Sequence, residues 1–179
     1  MYRLFVAVDV SEQARDAISR ICSGMVGVRW VDGSQLHLTL RFIGDADGSL
    51  FGRIRQELAG VAGPSFPLYL RGVGSFPPRR DPRVLWVGVE RSGDLLLLHH
   101  RVEEALARCG LEPEKREFAP HITLARLKGA SFSGVASFLD KNRLFSVPPF
   151  QISEFHLYSS TLAPQGAIHR REASYPLKG

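Results

Sequence analysis

A four-residue pattern, histidine–aliphatic–threonine–leucine, occurs twice in this chain and limits its possible folds more than any other feature. The first copy is HLTL at residues 37–40, and the second is HITL at residues 121–124, 84 positions later. Segments of similar composition surround both copies in the same order, as expected for an internal repeat. Two copies are too few for a solenoid, so the pattern predicts two related lobes.

The flanking segments support this repeat. RLFVAV at residues 3–8 corresponds to VLWVGV at residues 84–89, and a helical pattern precedes and follows each HxTL copy. The segments FPLYL and FQISE each begin 29 residues after the histidine of their own copy. No linker rich in proline, glycine or serine separates the halves. We therefore expect a single domain, 1–179, duplicated internally at roughly 1–80 and 81–179.

Hydrophobic periodicity and turn residues predict an α+β fold with two lobes, in which antiparallel-rich sheets face a central groove and helices lie outside. The HxTL strands should be central. Ser11 and the SGD segment at 92–94 are expected to begin helices. The strands are predicted at 3–10, 28–31, 36–44, 66–76, 83–90, 121–127, 150–160 and 167–177, and the helices at 12–23, 49–62, 93–109 and 131–144.

Composition narrows the class of protein. Hydrophobic residues make up 44% and charged residues 23%, which is typical of a globular domain. No apolar run approaches the roughly 20 residues of a membrane span, and the first residues do not resemble a signal peptide. We expect a cytoplasmic monomer with no membrane partner. The net charge is +5, and 19 of the 23 cationic residues are arginines, which permits a polyanionic partner such as nucleic acid.

Strand alternation puts chemistry on one face of each HxTL strand. His37 and Thr39 share a face, while the leucines between and after them point to the other side. His121 and Thr123 are arranged in the same way. Two imidazoles near neutral pKa can serve as an acid–base pair, and two hydroxyls can donate to the oxygens of a phosphate. Neither motif contains a carboxylate, so we expect no metal and no cofactor.

A histidine on a strand is most often a surface or core residue, and one HxTL copy alone would not indicate function. Two copies within a duplicated frame do. The other histidines, His99, His100, His156 and His169, lack the pattern and are interpreted as structural or exposed. The two cysteines have neither metal-site spacing nor the number required for a disulfide framework.

The segments RLFVAV, HLTLRFIG, PRVLWVGV, FAPHITLARL and LYSSTLAPQGAIH together resemble the 2H phosphoesterase superfamily, which is named for its two H-x-[ST]-x motifs. Within it, the chain is most similar to the RNA 2′,3′-cyclic phosphodiesterase family, also called the 2′-5′ RNA ligase family. The resemblance covers nearly the whole chain. It implies the duplicated 2H phosphoesterase fold and hydrolysis of a terminal RNA 2′,3′-cyclic phosphate to a 2′-phosphate, without a metal.

The resemblance also implies roles for the motif residues. His37 protonates the 3′ oxygen as the general acid, His121 activates water as the general base, and Thr39 and Thr123 bind the non-bridging oxygens. A weak, reversible 2′-5′ RNA ligase activity is implied as well. Partners are RNA ends or nucleotides with a 2′,3′-cyclic phosphate. The residues themselves leave open which histidine gives the proton.

Three further residues are substrate-binding candidates. Arg126 matches the phosphate-binding arginine of the family, although strict alternation puts it on the face opposite His121, so that only a twist, a bulge or the strand end would bring it to the groove. Phe42 has the equivalent position in the first copy, where it could stack on a base or pack in the lobe. Arg41 lies on the His37 face by alternation and is a second candidate for phosphate contact.

Two alternatives remain open from the sequence. A module of this kind that binds a nucleotide or RNA end without turnover would keep the fold and lose the chemistry. An enzyme for another small cyclic phosphate would keep the four motif residues and change the substrate.

Overall fold

The structure, a computed structural model, describes residues 1–78 and 80–178. These residues form an α+β fold of ten strands and four α-helices, which confirms the predicted fold class. The strands are β1 (Tyr2–Asp9), β2 (Val28–Trp30), β3 (His37–Ala46), β4 (Phe66–Leu68), β5 (Leu70–Phe76), β6 (Val84–Val89), β7 (His121–Leu127), β8 (Phe150–Ile152), β9 (Glu154–Ala163) and β10 (Gly166–Pro176). The helices are α1 (Glu12–Ile21), α2 (Gly48–Ala59), α3 (Gly93–Arg108) and α4 (Phe132–Lys141).

Eight strands form one large antiparallel sheet, and the two HxTL strands lie next to each other at its centre, as predicted. The order is β10-β9-β1-β3-β7-β6-β5, and β2 also pairs with β7. Strands β4 and β8 form a separate two-stranded sheet. On each side of the centre, the large sheet therefore combines strands from both halves of the chain.

Two of the residue pairs between the halves share one spacing. Leu38 of β3 pairs with Ile122 of β7, which makes the large sheet continuous where two facing sheets were expected. Pro67 of β4 pairs with Gln151 of β8. The members of each pair are 84 positions apart, the same spacing as the two HxTL copies. Equal spacing is what a two-fold relation between repeats requires, so it supports the duplication, which stays a prediction.

Two strands expected to be single are each divided. The segment 66–76 is interrupted at Tyr69, and the segment 150–160 is interrupted at Ser153. In both cases the first piece leaves the large sheet to pair with the other in the small sheet, while the second piece joins the large sheet. The sequence pattern is the same on both sides of each break, so periodicity alone did not reveal it.

The helices cover one face of the large sheet. Serine side chains begin two of them as predicted, because the hydroxyls of Ser11 and Ser92 accept hydrogen bonds from Ala14 and Leu95. In the described part of the chain, no helix combines the length and the apolar character that a membrane crossing requires. The core between helices and sheet includes Leu4, Val6, Val8, Ile18, Leu38, Leu40, Ile54, Leu58, Leu85, Val87, Leu95, Val102, Ile122 and Leu124.

Candidate active site

The faces of β3 are set by an extra residue after Thr39. Ala7 of β1 pairs with Thr39, but the next residue, Val6, pairs with Arg41, so Leu40 is a β-bulge. Leu40 and Arg41 then both point toward the helices. Phe42 returns to the face of His37 and Thr39, which we call the site face.

The same bulge occurs in β7. Trp86 of β6 pairs with Thr123, and the next residue, Leu85, pairs with Ala125, which leaves Leu124 as the extra residue. Leu124 and Ala125 are both fully buried on the helix side. Arg126 therefore lies on the site face with His121 and Thr123. Strict alternation puts Arg126 on the opposite face, and the bulge at Leu124 brings it onto the site face.

The Leu38–Ile122 pair brings the two motifs together on the site face. Because the strands are antiparallel, the residues on either side of this pair lie opposite one another, so His37 is beside Thr123 and Thr39 is beside His121. Each histidine thus has the threonine of the other motif as its cross-strand neighbour. The arrangement surrounds one centre with two imidazoles and two hydroxyls.

Both imidazoles are held by the same type of hydrogen bond, between Nδ1 and a backbone carbonyl oxygen. Nδ1 of His37 lies 2.7 Å from the carbonyl oxygen of Gln35, and Nδ1 of His121 lies 2.7 Å from that of Ala119. A carbonyl only accepts, so each Nδ1 carries the proton and donates it. In the neutral form, Nε2 is then the unprotonated nitrogen of both rings. Each ring is oriented to exchange a proton through Nε2.

Aromatic side chains surround His37. The ring of Phe5 lies 4.9 Å from that of His37, between centroids, and His169 meets it edge-on at 5.1 Å. Tyr158 stacks on Phe5 at 5.3 Å. His169 was interpreted as structural or exposed, but β10 places it next to His37. No spacing in the sequence links these two histidines, because the register of β9 and β10 brings them together.

His121 has a comparable aromatic environment in the other half of the sheet. Phe76, at the end of β5, meets His121 edge-on with 5.0 Å between centroids, and Trp86 lies at 6.5 Å. Phe5 and Trp86 are both the third residue of the paired segments RLFVAV and VLWVGV. Their matched positions were a signal in the sequence that these side chains line equivalent places.

Burial lowers the pKa of His37 below its ordinary value of 6.5. The hydrogen bond to Gln35 and the carboxylate of Asp9 act in the opposite direction, and the charge of His121 adds to the lowering. Burial, together with the charge of His37, lowers the pKa of His169 to about 4. The lowered pKa values favour the neutral form of both rings in the free protein.

A polar network lies behind Tyr158. Its hydroxyl donates to Asp9, which also pairs with Arg171, and burial and this hydrogen bond raise the pKa of Tyr158 to about 12. His156 is 1% exposed, lies 3.4 Å from Asp9 through Nε2, and has Nδ1 2.9 Å from the hydroxyl of Ser174. These contacts hold β1, β9 and β10 together beside the site.

Arg41 is the one substrate-binding candidate that the structure places elsewhere. Its guanidinium pairs with Glu103 of α3 and donates to the carbonyl of Glu112 at 2.7 Å. Only 10% of its side chain is exposed. The prediction that it lies on the His37 face was wrong, because the bulge at Leu40 turns Arg41 toward the helices.

The bulge at Leu40 brings Phe42 onto the site face, where it is 48% exposed. The guanidinium of Arg3 lies 5.5 Å from the centre of its ring. An exposed aromatic ring on this face is available to a ligand, whereas a core side chain would not be. Among residues 1–78 and 80–178, no group of three or more histidine, cysteine, aspartate or glutamate side chains is arranged to hold a metal ion.

Solved structures share this fold over nearly the full length. A protein of Thermus thermophilus, TT0787, matches with a TM-score of 0.82 and 26% identity, covering 99% of this chain and 98% of its own. E. coli LigT in complex with 3′-AMP matches with a TM-score of 0.78 and 27% identity, covering 99% of both chains. The arrangement is that of the 2H phosphoesterases.

Sequence comparison identifies the family. The model of the 2′-5′ RNA ligase superfamily matches residues 10–163. An RNA 2′,3′-cyclic phosphodiesterase of Archaeoglobus fulgidus is 36% identical over 171 residues, which cover 94% of this chain and 96% of the relative. One of Thermotoga maritima is 34% identical over 176 residues, which cover 94% of this chain and 91% of the relative. The chain belongs to the 2′-5′ RNA ligase superfamily, as its motifs indicated.

Proposed function

We propose that this protein is a hydrolase that opens the 2′,3′-cyclic phosphate at the end of an RNA chain and leaves a 2′-phosphate. The observation that carries the proposal is the matched pair of imidazoles. Each donates from Nδ1 to a backbone carbonyl two residues earlier, at 2.7 Å, which leaves Nε2 to exchange a proton, and the Leu38–Ile122 pair puts both rings on the same face of adjacent strands. The family, with relatives that are RNA 2′,3′-cyclic phosphodiesterases, supports this substrate.

In the proposed reaction, His121 takes a proton from water through Nε2 while the water oxygen attacks phosphorus. The bond between phosphorus and the 3′ oxygen breaks, and His37 gives a proton to that oxygen. Thr39 and Thr123 donate hydrogen bonds to the non-bridging oxygens, where negative charge increases. Each proton transfer is worth typically about 10²–10⁴ in rate.

The lowered pKa of His37 constrains its role as the acid. Burial keeps its imidazole neutral in the free protein at pH 7. As the acid, His37 must therefore bind its proton together with the substrate, because a phosphate anion nearby stabilises the charged imidazolium. In the reverse assignment His37 is the base, and the neutral ring that burial favours is the form that a base requires. The choice between them follows from which side of the site the 3′ oxygen occupies.

Arg126 and Phe42 are proposed to bind the substrate. Arg126 lies on the site face beyond Thr123, where a guanidinium can pair with a phosphate oxygen. Phe42 lies beyond Thr39 and is proposed to stack on the terminal base. A weak, reversible 2′-5′ ligation is part of the proposal, since the 5′-hydroxyl of a second RNA in place of water would attack phosphorus with the same bond changes and leave a 2′-5′ phosphodiester.

The test is product analysis of a short RNA that ends in a 2′,3′-cyclic phosphate. We expect a 2′-phosphate, with undiminished turnover in EDTA. His37→Ala and His121→Ala should each lower turnover by about 10²–10⁴ while the protein stays folded. His100→Ala is the matched control, because His100 is 69% exposed on α3, away from the site.

Full activity in a folded His37 or His121 variant would refute the two-histidine mechanism. A requirement for a divalent ion would refute metal independence. Tight binding of the RNA end with no turnover of any cyclic phosphate would favour a binding module instead.

A further inference from the structure

Two arginines lie directly opposite each other on the site face, at the edge where β2 joins β7. Arg29 of β2 pairs with Arg126 of β7 in an antiparallel register. The neighbouring residue Trp30 packs toward α4, with its ring 5.7 Å from that of Phe138. Since alternate residues of a strand face opposite sides, Arg29 points away from α4 and shares the site face with Arg126.

This like-charge pair is costly without an anion. Side chains directly opposite in an antiparallel ladder have Cβ atoms roughly 4.5–5.5 Å apart, and equal charges there are destabilising. In the described part of the chain, the arginine ion pairs involve other residues, among them Arg41, Arg108 and Arg171, and neither member of this pair. Arg29 is also exposed. Two unneutralised guanidinium groups therefore face solvent side by side.

The position of β2 is held firmly by its neighbours. The carbonyl of Gly27 accepts from Lys128 at 2.9 Å, and Val31 donates to the carbonyl of Leu124 at 2.8 Å. A Cβ at Gly27 would come within 2.8 Å of the backbone nitrogen of Ala130, so the chain approaches more closely there than another residue allows. Arg29 is thus presented by a fixed strand.

The place of the pair relative to the histidines suggests its ligand. Arg126 is three residues beyond Thr123, roughly 10 Å along the strand. Strand β2, which carries Arg29, pairs with the same edge of β7 as β3, the strand of His37. The terminal cyclic phosphate lies among the histidines and threonines in the proposed function. A second anion, further along the site face, has to come from the chain attached to the terminal nucleotide.

We propose that Arg29 binds the first internal phosphodiester of the RNA, and so makes the protein select an RNA chain over a cyclic mononucleotide. This inference rests on the proposed function, in which the terminal cyclic phosphate is the reacting group. It adds that the substrate is an RNA chain long enough to have an internal phosphodiester. Arg126 lies between the two phosphates, and Arg29 neutralises the internal one. A cyclic mononucleotide has no group to place against Arg29.

The experiment compares two substrates, 2′,3′-cyclic AMP and a hexanucleotide RNA ending in 2′,3′-cyclic phosphate. Arg29→Ala is expected to lower kcat/KM about tenfold for the hexanucleotide, mainly through KM, and less than twofold for 2′,3′-cyclic AMP. The dependence of log KM on log salt should fall by roughly 0.7, the contribution of one phosphate in a single strand. Arg53→Ala is the matched control, since it removes the same charge from the exposed side of α2.

Equal losses on both substrates, or no loss on the hexanucleotide, would overturn the proposal for Arg29. Binding of a hexanucleotide ending in 3′-phosphate, followed by fluorescence anisotropy, separates this from a failure of the proposed function. If the unmodified protein hydrolyses neither substrate, weaker binding of this RNA by Arg29→Ala, but not by Arg53→Ala, still supports the internal phosphate site. Equal binding by Arg29→Ala and Arg53→Ala refutes it.

Discussion

The ring of His169 meets the ring of His37 edge to face, with 5.1 Å between their centroids. This contact buries both imidazoles in an aromatic group that includes Phe5, and burial lowers both pKa values. Protonating either ring in the folded protein is therefore costly, and this cost connects the site to the stability of the whole fold.

The first prediction concerns acid stability. The pKa of His169 falls from 6.5 to about 4 on folding, so between these values the unfolded chain binds a proton that the folded protein does not. The free energy of unfolding should therefore be at its full value above pH 6.5 and decrease as the pH falls toward 4. Urea unfolding at pH 7 and pH 5 measures it.

His169→Phe is the variant that isolates this group, because it keeps an aromatic ring against Phe5 and removes the titration. The loss of stability between pH 7 and pH 5 should be smaller in His169→Phe than in the unmodified protein. Part of the loss of stability should remain in the variant, because burial also lowers the pKa values of His37 and His156. An unchanged pH dependence would show that His169 is not the titrating group.

The second prediction concerns the pH dependence of kcat/KM. Whichever histidine is the acid, the active form has one proton shared between His37 and His121, so the profile should be bell-shaped. The acid limb reports the lower pKa of the pair in the free enzyme. Since burial lowers the pKa of His37, we expect this limb to have its midpoint below pH 6.5. A midpoint above 6.5 would contradict the lowered pKa of His37.

The third prediction concerns the two threonines. Thr39→Val and Thr123→Val keep the shape of the side chain and remove the hydroxyl, so each should lower kcat about 10²-fold with little change in stability. Thr161→Val, on an exposed part of β9, is the matched control. Losses confined to KM would indicate that the hydroxyls bind the ground state and the transition state equally.

The fourth prediction separates two arginines that the sequence suggested for the same task. Arg41→Ala leaves the mostly buried carboxylate of Glu103 without its partner and should lower the free energy of unfolding by about 3 kcal/mol, while activity per folded molecule is retained. Arg126→Ala should lower kcat/KM and change stability by less than about 0.5 kcal/mol. Urea unfolding and initial rates on the same samples give both values.

The reverse outcome, with Arg41→Ala inactive but stable, would return Arg41 to the site. The comparison also tests the bulge at Leu40, because the face of Arg41 depends on it.

Most elements of the fold were predictable from local pattern. Apolar periodicity, turn residues and the serine caps of α1 and α3 located the four α-helices and the large-sheet strands of the described residues, because these signals belong to single segments. The central position of β3 and β7 followed from the repeat. The breaks at Tyr69 and Ser153 did not, because they depend on β4 and β8 pairing across the chain.

The candidate site was predictable to the same extent. His37, Thr39, His121 and Thr123 are within the first three residues of their strands, ahead of any bulge, so alternation assigned their faces correctly. Beyond Thr39 alternation failed, because the bulge is visible only in the pairing with β1. The position of His169 beside His37 could not be predicted from the sequence either, since it depends on the register of β10 against β9 and of β9 against β1.

The bulges at Leu40 and Leu124 affect the orientation in which the site binds its substrate. Two halves that carried the same residues around the site would accept a substrate equally well in either of two opposite orientations, and each histidine would then serve in both roles. Because each bulge turns the fifth residue after its histidine onto the site face, one half presents the aromatic ring of Phe42 and the other the cation of Arg126. A nucleotide has a flat base at one end and an anion at the other, so this mismatch gives the site a polarity.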